Sequence, residues 1–277
     1  MKAQIIKNMP FDEYLSLDRL SSSALKNFIE CPDYYKWQKS QPQKEPSAAF
    51  KKGTMIHTWM LENHTFQNLY YAMPEIDAPV RPEGADGRAK AGTPEKELYL
   101  AYKEKLDKHE ETMAIYIEAA GDREVVKESE INKYKHLPSR SDTDNEVTVL
   151  FEHEGVPCKA RFDMLHRNKE ENGVEDLKTI ADIFKIDRDF FKFKYDVQLG
   201  FYTIAYYEAF NEWPDFFKFT FVSTGDYPAM VTRNCDFALI ERSRSFIDMQ
   251  IKSFYDCISN NNWPGIYSGD IELPRWM

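Results

Sequence analysis

Apolar positions along the chain change period several times, and each change marks an element. In SSSALKNFIECPDYYKW, starting at Ser21, Leu25, Phe28 and Ile29 fall at helical spacing behind hydroxyl residues able to cap, and a Cys-Pro pair ends the run. In SAAFKKGTMIHTWMLE, Phe50, Gly53, Ile56, His57 and Met60 recur every three or four residues, which predicts a helix carrying His57 close to its apolar stripe. Pro and Gly dominate residues 74–94, where no period survives, so a long mobile loop is predicted. Residues 94–134 read as polar helices with Leu98, Tyr102, Leu106, Met113, Tyr116 and Ile117 on their inner faces.

From Glu146 the period falls to two. EVTVLFEHEGVPCKARFDMLHRNKEENGVEDLKTI alternates, with breaks at HEG and NKEENG, and predicts three consecutive antiparallel strands. ADIFKIDRDFFK and DVQLGFYTIAYYEAF return to helical spacing. FFKFTFVST and AMVTRNCDF read as two further strands, a long helix follows from about Ala238 to Ser259, and the tail WPGIYSGDIELPRWM reads as irregular. Mixed strands and helices without a convincing linker predict one α/β domain over residues 1–277, a central mixed sheet flanked by helices.

Composition narrows the class. The 277 residues are 42% hydrophobic and 14% aromatic, enough for a sizeable core. A formal charge of -10 excludes a passive nucleic-acid coat, which would bind by phosphate neutralisation, but leaves room for an enzyme with a local basic channel. Cys31, Cys158, Cys235 and Cys257 are scattered and form no CxxC pair, which reads as free thiols in a reducing compartment. The N-terminal MKAQIIKNMPFDEYLSL has no continuous apolar segment and no run of about 18 apolar residues occurs, so a soluble, cytoplasmic protein without a membrane partner is expected.

The chemistry concentrates in GVEDLKTI, residues 173–180, where charge interrupts an apolar strand. A hairpin turning at NKEENG sets Asp163 opposite Asp176, and strand alternation puts Lys178 on the face of Asp176 and Glu175 on the other. Two facing carboxylates destabilise a sheet unless a positive group lies between them. Mg²⁺ suits that place, because it takes oxygen ligands from one or two carboxylates plus a substrate phosphate. A solvated Asp-Lys-Asp ion-pair cluster is the competing reading, and the apolar context weighs against it.

Asp163 followed thirteen residues later by Asp176-Leu177-Lys178 resembles the hairpin signature of the PD-(D/E)xK (restriction-endonuclease-like) nucleases. GTMIH resembles the element that supplies a histidine ligand in their RecB-like branch, and QLGFY, with Gln198 and Tyr202 four apart, resembles the QxxxY element of that branch. With the N-terminal SSSALKNFIECPDYYKW and the final LPRW, the chain from Leu20 to Trp276 is most similar to RecE-type exodeoxyribonucleases (exonuclease VIII) and their phage and prophage relatives. The resemblance implies a Mg²⁺-dependent exonuclease, with Mn²⁺ able to substitute, that degrades linear double-stranded DNA 5′-to-3′ and leaves 3′ tails for recombination. It implies double-stranded DNA ends as substrate, a RecT-type single-strand annealing protein as partner, and a homo-oligomeric ring. By position it implies His57, Asp163, Asp176 and the Leu177 carbonyl as metal ligands, Lys178 as the catalytic lysine, and Gln198 and Tyr202 as supporting or DNA-contacting groups. No iron–sulfur cluster is expected, because Cys235 and Cys257 stand isolated.

Other groups stay open. On residue type alone His57 reads more readily as a core histidine than as a ligand, and its place in GTMIH, four residues after Gly53, together with the hairpin, reverses that preference. Glu146 and Glu175 are further acids near the predicted site. Arg88, with Arg81 and Lys90, and Lys185 and Lys192, with Arg188 and Lys194, could grip phosphates or face solvent. Tyr34, Tyr35 and Trp37 could stack on an unpaired base, although packing is the simpler role. A structure-selective endonuclease on the same fold and a catalytically inactive DNA-binding module are the alternative functions.

Overall fold

A computed structural model describes residues 2–42, 45–140, 143–168, 172–227 and 229–266. The chain forms two compact units, residues 1–54 with 140–277, and residues 55–139. The predicted irregular tail with its LPRW lies largely outside the described residues, as does the tip of the predicted turn, residues 169–171.

The first unit opens with β1 (Gln4–Ile6), α1 (Phe11–Ser16), α2 (Ser22–Glu30) and α3 (Pro32–Lys39). Ser21 caps α2, accepting a hydrogen bond from the Ala24 amide, and Pro32 starts α3, where its missing N–H costs nothing. α4 (Ala48–Leu61) runs through the boundary at residue 54. The second unit continues with α5 (Asn63–Leu69), β2 (Tyr70–Met73), α6 (Pro94–Ala120), β3 (Glu124–Lys127) and α7 (Glu128–Asn132). Residues 74–93 carry no regular element, as the lost period predicted.

Two expectations fail in the second unit. Residues 124–127 form a strand, paired in parallel with β2, where only helix was expected. Within α6, Leu98 and Ile117 are 43% and 57% exposed rather than inward, and Ala120 is its one buried residue. Four strand residues are too few for a period to register, and α6 is polar on most of its circumference.

The chain returns to the first unit as β4 (Asp144–His153), β5 (Val156–Arg167) and β6 (Asn172–Ile180). A 3₁₀ turn at residues 183–185, α8 (Ile186–Lys192) and α9 (Tyr195–Phe210) lead to β7 (Phe216–Ser223), β8 (Met230–Asn234) and α10 (Phe237–Ser259). Among the described residues these strands form a six-stranded sheet ordered β1-β4-β5-β6-β7-β8. β6 and β7 are parallel and the other neighbours antiparallel, so the sheet is mixed. Parallel pairing of β6 and β7 demands a crossover, supplied by α8 and α9.

α9 is the hub of this unit. Every residue from Val197 to Tyr206 is buried, so it is covered all round by its neighbours α2 and α10 and by the sheet. Glycine at position 200 permits that closeness: a Cβ there would stand 2.4 Å from the Ser243 carbonyl oxygen of α10.

On one face of the sheet an ionised network is sealed. Glu175, 3% exposed, accepts hydrogen bonds from Arg140 (2.8 Å) and from the Thr220 hydroxyl (2.5 Å) and pairs with His166 Nε2 at 3.3 Å. Thr220 in turn meets the Thr232 hydroxyl at 2.7 Å, so the network reaches from β6 across β7 to β8. Burial alone would raise the Glu175 pKa, but the bonds from His166 and Thr220 and the Arg140 charge hold it below the usual glutamate range.

Two outcomes follow. Gly200→Ala should lower unfolding stability by about 1–3 kcal/mol in urea titrations, because neither α9 nor α10 has room for the methyl; an unchanged midpoint would contradict the packing. A depressed folded-state pKa adds stability that is present above the unfolded value of 4.5 and disappears as pH falls through the folded value. Glu175→Ala should therefore cost about 3 kcal/mol near neutrality and clearly less near pH 3, measured by denaturation at both pH values.

Candidate active site

β6 pairs with β7 from Gly173 to Ile180, but its ladder with β5 ends at Met164↔Glu175. That register is the one the turn predicted, and its next step brings Asp163 to Asp176. There a side chain takes over from the backbone: the Leu177 amide donates to Asp163 Oδ2 at 2.7 Å. The hairpin thus opens where its two aspartates meet.

Strand alternation gives Asp176 and Lys178 a common face, and their side chains form an ion pair. Gln198 Nε2, on the first turns of α9, donates to Asp176 Oδ1 at 2.8 Å. Lys178 Nζ also reaches the Leu177 carbonyl at 3.4 Å. Asp176 is fully buried and Asp163 is 9% exposed, so water contributes little to stabilising either charge. Burial raises the Asp163 pKa, partly offset by Lys178 and by the Leu177 amide. Burial would depress the Lys178 ammonium, but Asp176 and Asp163 together hold it above the ordinary lysine value.

Glu146 belongs with them. It has a left-handed φ of 54°, unusual for a glutamate, and the β4–β5 ladder skips it between Asn145↔Met164 and Val147↔Phe162. Its register partner would be Asp163, and one oxygen of each carboxylate lies within 4.8 Å of the other. Arg161 pairs with Glu146 and donates to the Met9 carbonyl at 2.6 Å, so a buried guanidinium holds this acid from the side. Tyr202, one turn beyond Gln198, is buried edge-on against Phe162 with ring centroids 5.4 Å apart, and burial raises its pKa well above the usual value.

The remaining candidates divide. Glu175 is engaged on the opposite face and does not join Asp176. His57 lies on the part of α4 that belongs to the second unit, one turn after Gly53. Gly53 itself approaches β6 closely, since a Cβ there would stand 3.2 Å from Thr179 Oγ1. Arg88 is an exposed residue of the second unit. Lys185 is exposed and paired with Asp182 at 2.5 Å, and Lys192 is exposed with its ammonium 5.3 Å from the Phe193 ring. Tyr35 packs on Phe28, Phe254 and Trp263, whereas Tyr34 and Trp37 are 42% and 51% exposed and stack on one another. Sequence reasoning missed Lys26, whose ammonium lies 5.3 Å from the Tyr195 ring that Lys178 also touches at 5.4 Å. Its one signal was being the sole basic residue of α2.

The donor set fits a hard divalent cation. Asp163 and Glu146 bring carboxylate oxygens within 4.8 Å of one another beside Asp176, and oxygen donors of this kind suit a hard cation rather than a soft metal. Among the described residues, no helix is long and apolar enough to cross a membrane.

Comparison with known proteins agrees with this architecture. The crystal structure of a "Putative exonuclease" from Eubacterium rectale is similar at a TM-score of 0.51 and 13% identity, over 96% of this chain and 97% of its own. At that identity the likeness concerns the fold. A second solved structure, SSO0001, reaches a TM-score of only 0.26 at 13% identity, over 87% of this chain and 88% of its own. No curated protein matches. Residues 21–276 match the family described as PDDEXK-like domain of unknown function (DUF3799), and the chain belongs to that family.

Proposed function

We propose that the protein is a metal-dependent exodeoxyribonuclease that hydrolyses phosphodiester bonds at the ends of linear double-stranded DNA. The observation that carries the reading is the opening of the β5–β6 hairpin, where Asp163, Asp176 and Lys178 converge with no further ladder pair between the strands. Membership of a PDDEXK-like family supports nuclease chemistry. The 5′-to-3′ direction, the 3′ tails for recombination, a RecT-type annealing partner and a ring-shaped homo-oligomer belong to the same proposal on the strength of the RecE-type resemblance.

In this reading Asp163, Asp176 and the Leu177 carbonyl hold the cation, with His57 from α4 as a further ligand and Glu146 as an outer acid. Mg²⁺, or Mn²⁺ in its place, supplies neutralisation of phosphate charge and activation of water. Gln198 fixes the Asp176 carboxylate by its hydrogen bond, so one oxygen keeps its direction while the other faces Lys178. Lys178 would exchange its pairing with Asp176 for the incoming phosphate or the attacking water. Tyr202 packs behind Gln198 and keeps α9 pressed against the sheet.

Purified protein given Mg²⁺ should degrade end-labelled linear duplex and leave covalently closed duplex intact. Nicking of the closed circle would defeat the exonuclease reading, and inertness toward both would favour a DNA-binding module without catalysis. Asp176→Asn and Lys178→Met should each lower hydrolysis by at least about a hundredfold with an unchanged circular dichroism spectrum. Persisting activity would place the chemistry elsewhere.

A further inference from the structure

Lys26 is a half-buried cation that the hydrolytic scheme leaves unused. Its ammonium donates one hydrogen bond, to the Phe193 carbonyl at 3.1 Å, and rests against the Tyr195 ring. Among the described residues no carboxylate forms an ion pair with it. Of the acids that attract it, Asp176 is committed to Gln198 and Lys178, and Asp196 acts on it without forming an ion pair. Burial first, and then the Lys178 charge, push the Lys26 pKa down to about 8, although Asp176 and Asp196 attract it. An ammonium has three protons to donate, and one carbonyl uses one. A half-buried ammonium with spare donors and no counterion is incompletely solvated, and an anion arriving from outside would complete it.

We propose that Lys26 and Lys178, both against the Tyr195 ring, form an anion subsite that receives a phosphate of the nucleic-acid strand next to the bond being cut. The subsite rests on the nuclease reading and adds to it a binding group on α2. Lys178 faces the carboxylates and the reacting phosphate, while Lys26, on the far element, faces the neighbouring one. In a chain of charge -10 such a subsite has to be local. The simpler role for Lys26 is to cap the corner between α8 and α9 through the Phe193 carbonyl. That role predicts lost stability without a change in electrostatic binding.

The two roles separate by salt dependence. DNA affinity of wild type, Lys26→Met and Lys26→Arg is measured by fluorescence anisotropy across a salt series, with Ca²⁺ replacing Mg²⁺ to prevent cleavage. Lys26→Met should weaken binding several-fold at low salt and reduce the slope of log K against log salt by about 0.9 for a duplex contact or about 0.7 for a single strand, while Lys26→Arg keeps the slope. An unchanged slope in Lys26→Met overturns the subsite. Running 5′-phosphoryl and 5′-hydroxyl duplexes in parallel identifies the phosphate: equal losses assign an internal phosphodiester, and a loss confined to the phosphorylated end assigns the terminal group. If Lys26→Met does not fold, reductive methylation of the wild type read by mass spectrometry replaces it; protection of Lys26 by duplex DNA supports the subsite and equal labelling overturns it. Failure of the wild type to bind or cut DNA would instead defeat the nuclease reading itself.

Discussion

The structure of the first unit turns on one constraint, the burial of Asp176 in the middle of a sheet. A carboxylate with no exposed surface keeps its charge only if fixed donors replace water, and here those donors are Gln198 and Lys178. Gln198 reaches Asp176 only if α9 lies close under β6, and α9 lies there because it is buried on every side and carries no Cβ at Gly200 to hold α10 away. The parallel β6–β7 crossover, the glycine contact and the hydrogen bond to Asp176 therefore belong to one device. Loosening any of them would leave a buried charge short of a donor, which is far more costly than a lost surface contact.

The β5–β6 hairpin treats its buried acids in two different ways. Glu175 is saturated: Arg140, Thr220 and His166 surround it, and its pKa falls below the usual range. Asp163, on the strand opposite Asp176, is held differently: burial outweighs the Lys178 charge, the Leu177 amide and the Arg161 charge, and its pKa rises. Neighbouring acids of one hairpin thus differ: Glu175 ties three strands together, and Asp163 is pushed by burial above the usual aspartate range. The left-handed backbone at Glu146, costing of order 1–3 kcal/mol, adds strain beside Asp163.

The parts visible in the sequence were those fixed by local periodicity. The turn at NKEENG carried the β5–β6 register, and from it the meeting of Asp163 with Asp176 and the separation of Glu175 from Lys178. Gln198 and Tyr202 were visible by resemblance, yet the bond from Gln198 to Asp176 depends on a crossover that no spacing reveals. β3 escaped because parallel pairing between short, distant strands leaves no pattern, and the inner face assigned to α6 failed because that helix buries almost nothing. Glu146 looked like an ordinary strand opening, since a left-handed φ leaves no trace in residue type when the residue is not glycine. Lys26 was hidden for a related reason: its meaning lies in which acids are already taken, a property of the whole charge arrangement rather than of α2.

On the proposed nuclease reading, that arrangement has a direction. Glu146, Asp163 and Asp176 concentrate negative charge, Lys178 and Arg161 offset part of it, and Lys26 holds positive charge a little further out. A divalent cation held by these acids would lower the repulsion among them and compete with Lys178 for Asp176, leaving Lys178 and Lys26 with less attraction, which a phosphate would restore. Cation and phosphate would then each lower the cost of the other's arrival, coupling the two through charges built into the fold rather than through movement of the chain. Such coupling would favour a metal and a phosphate together over either alone.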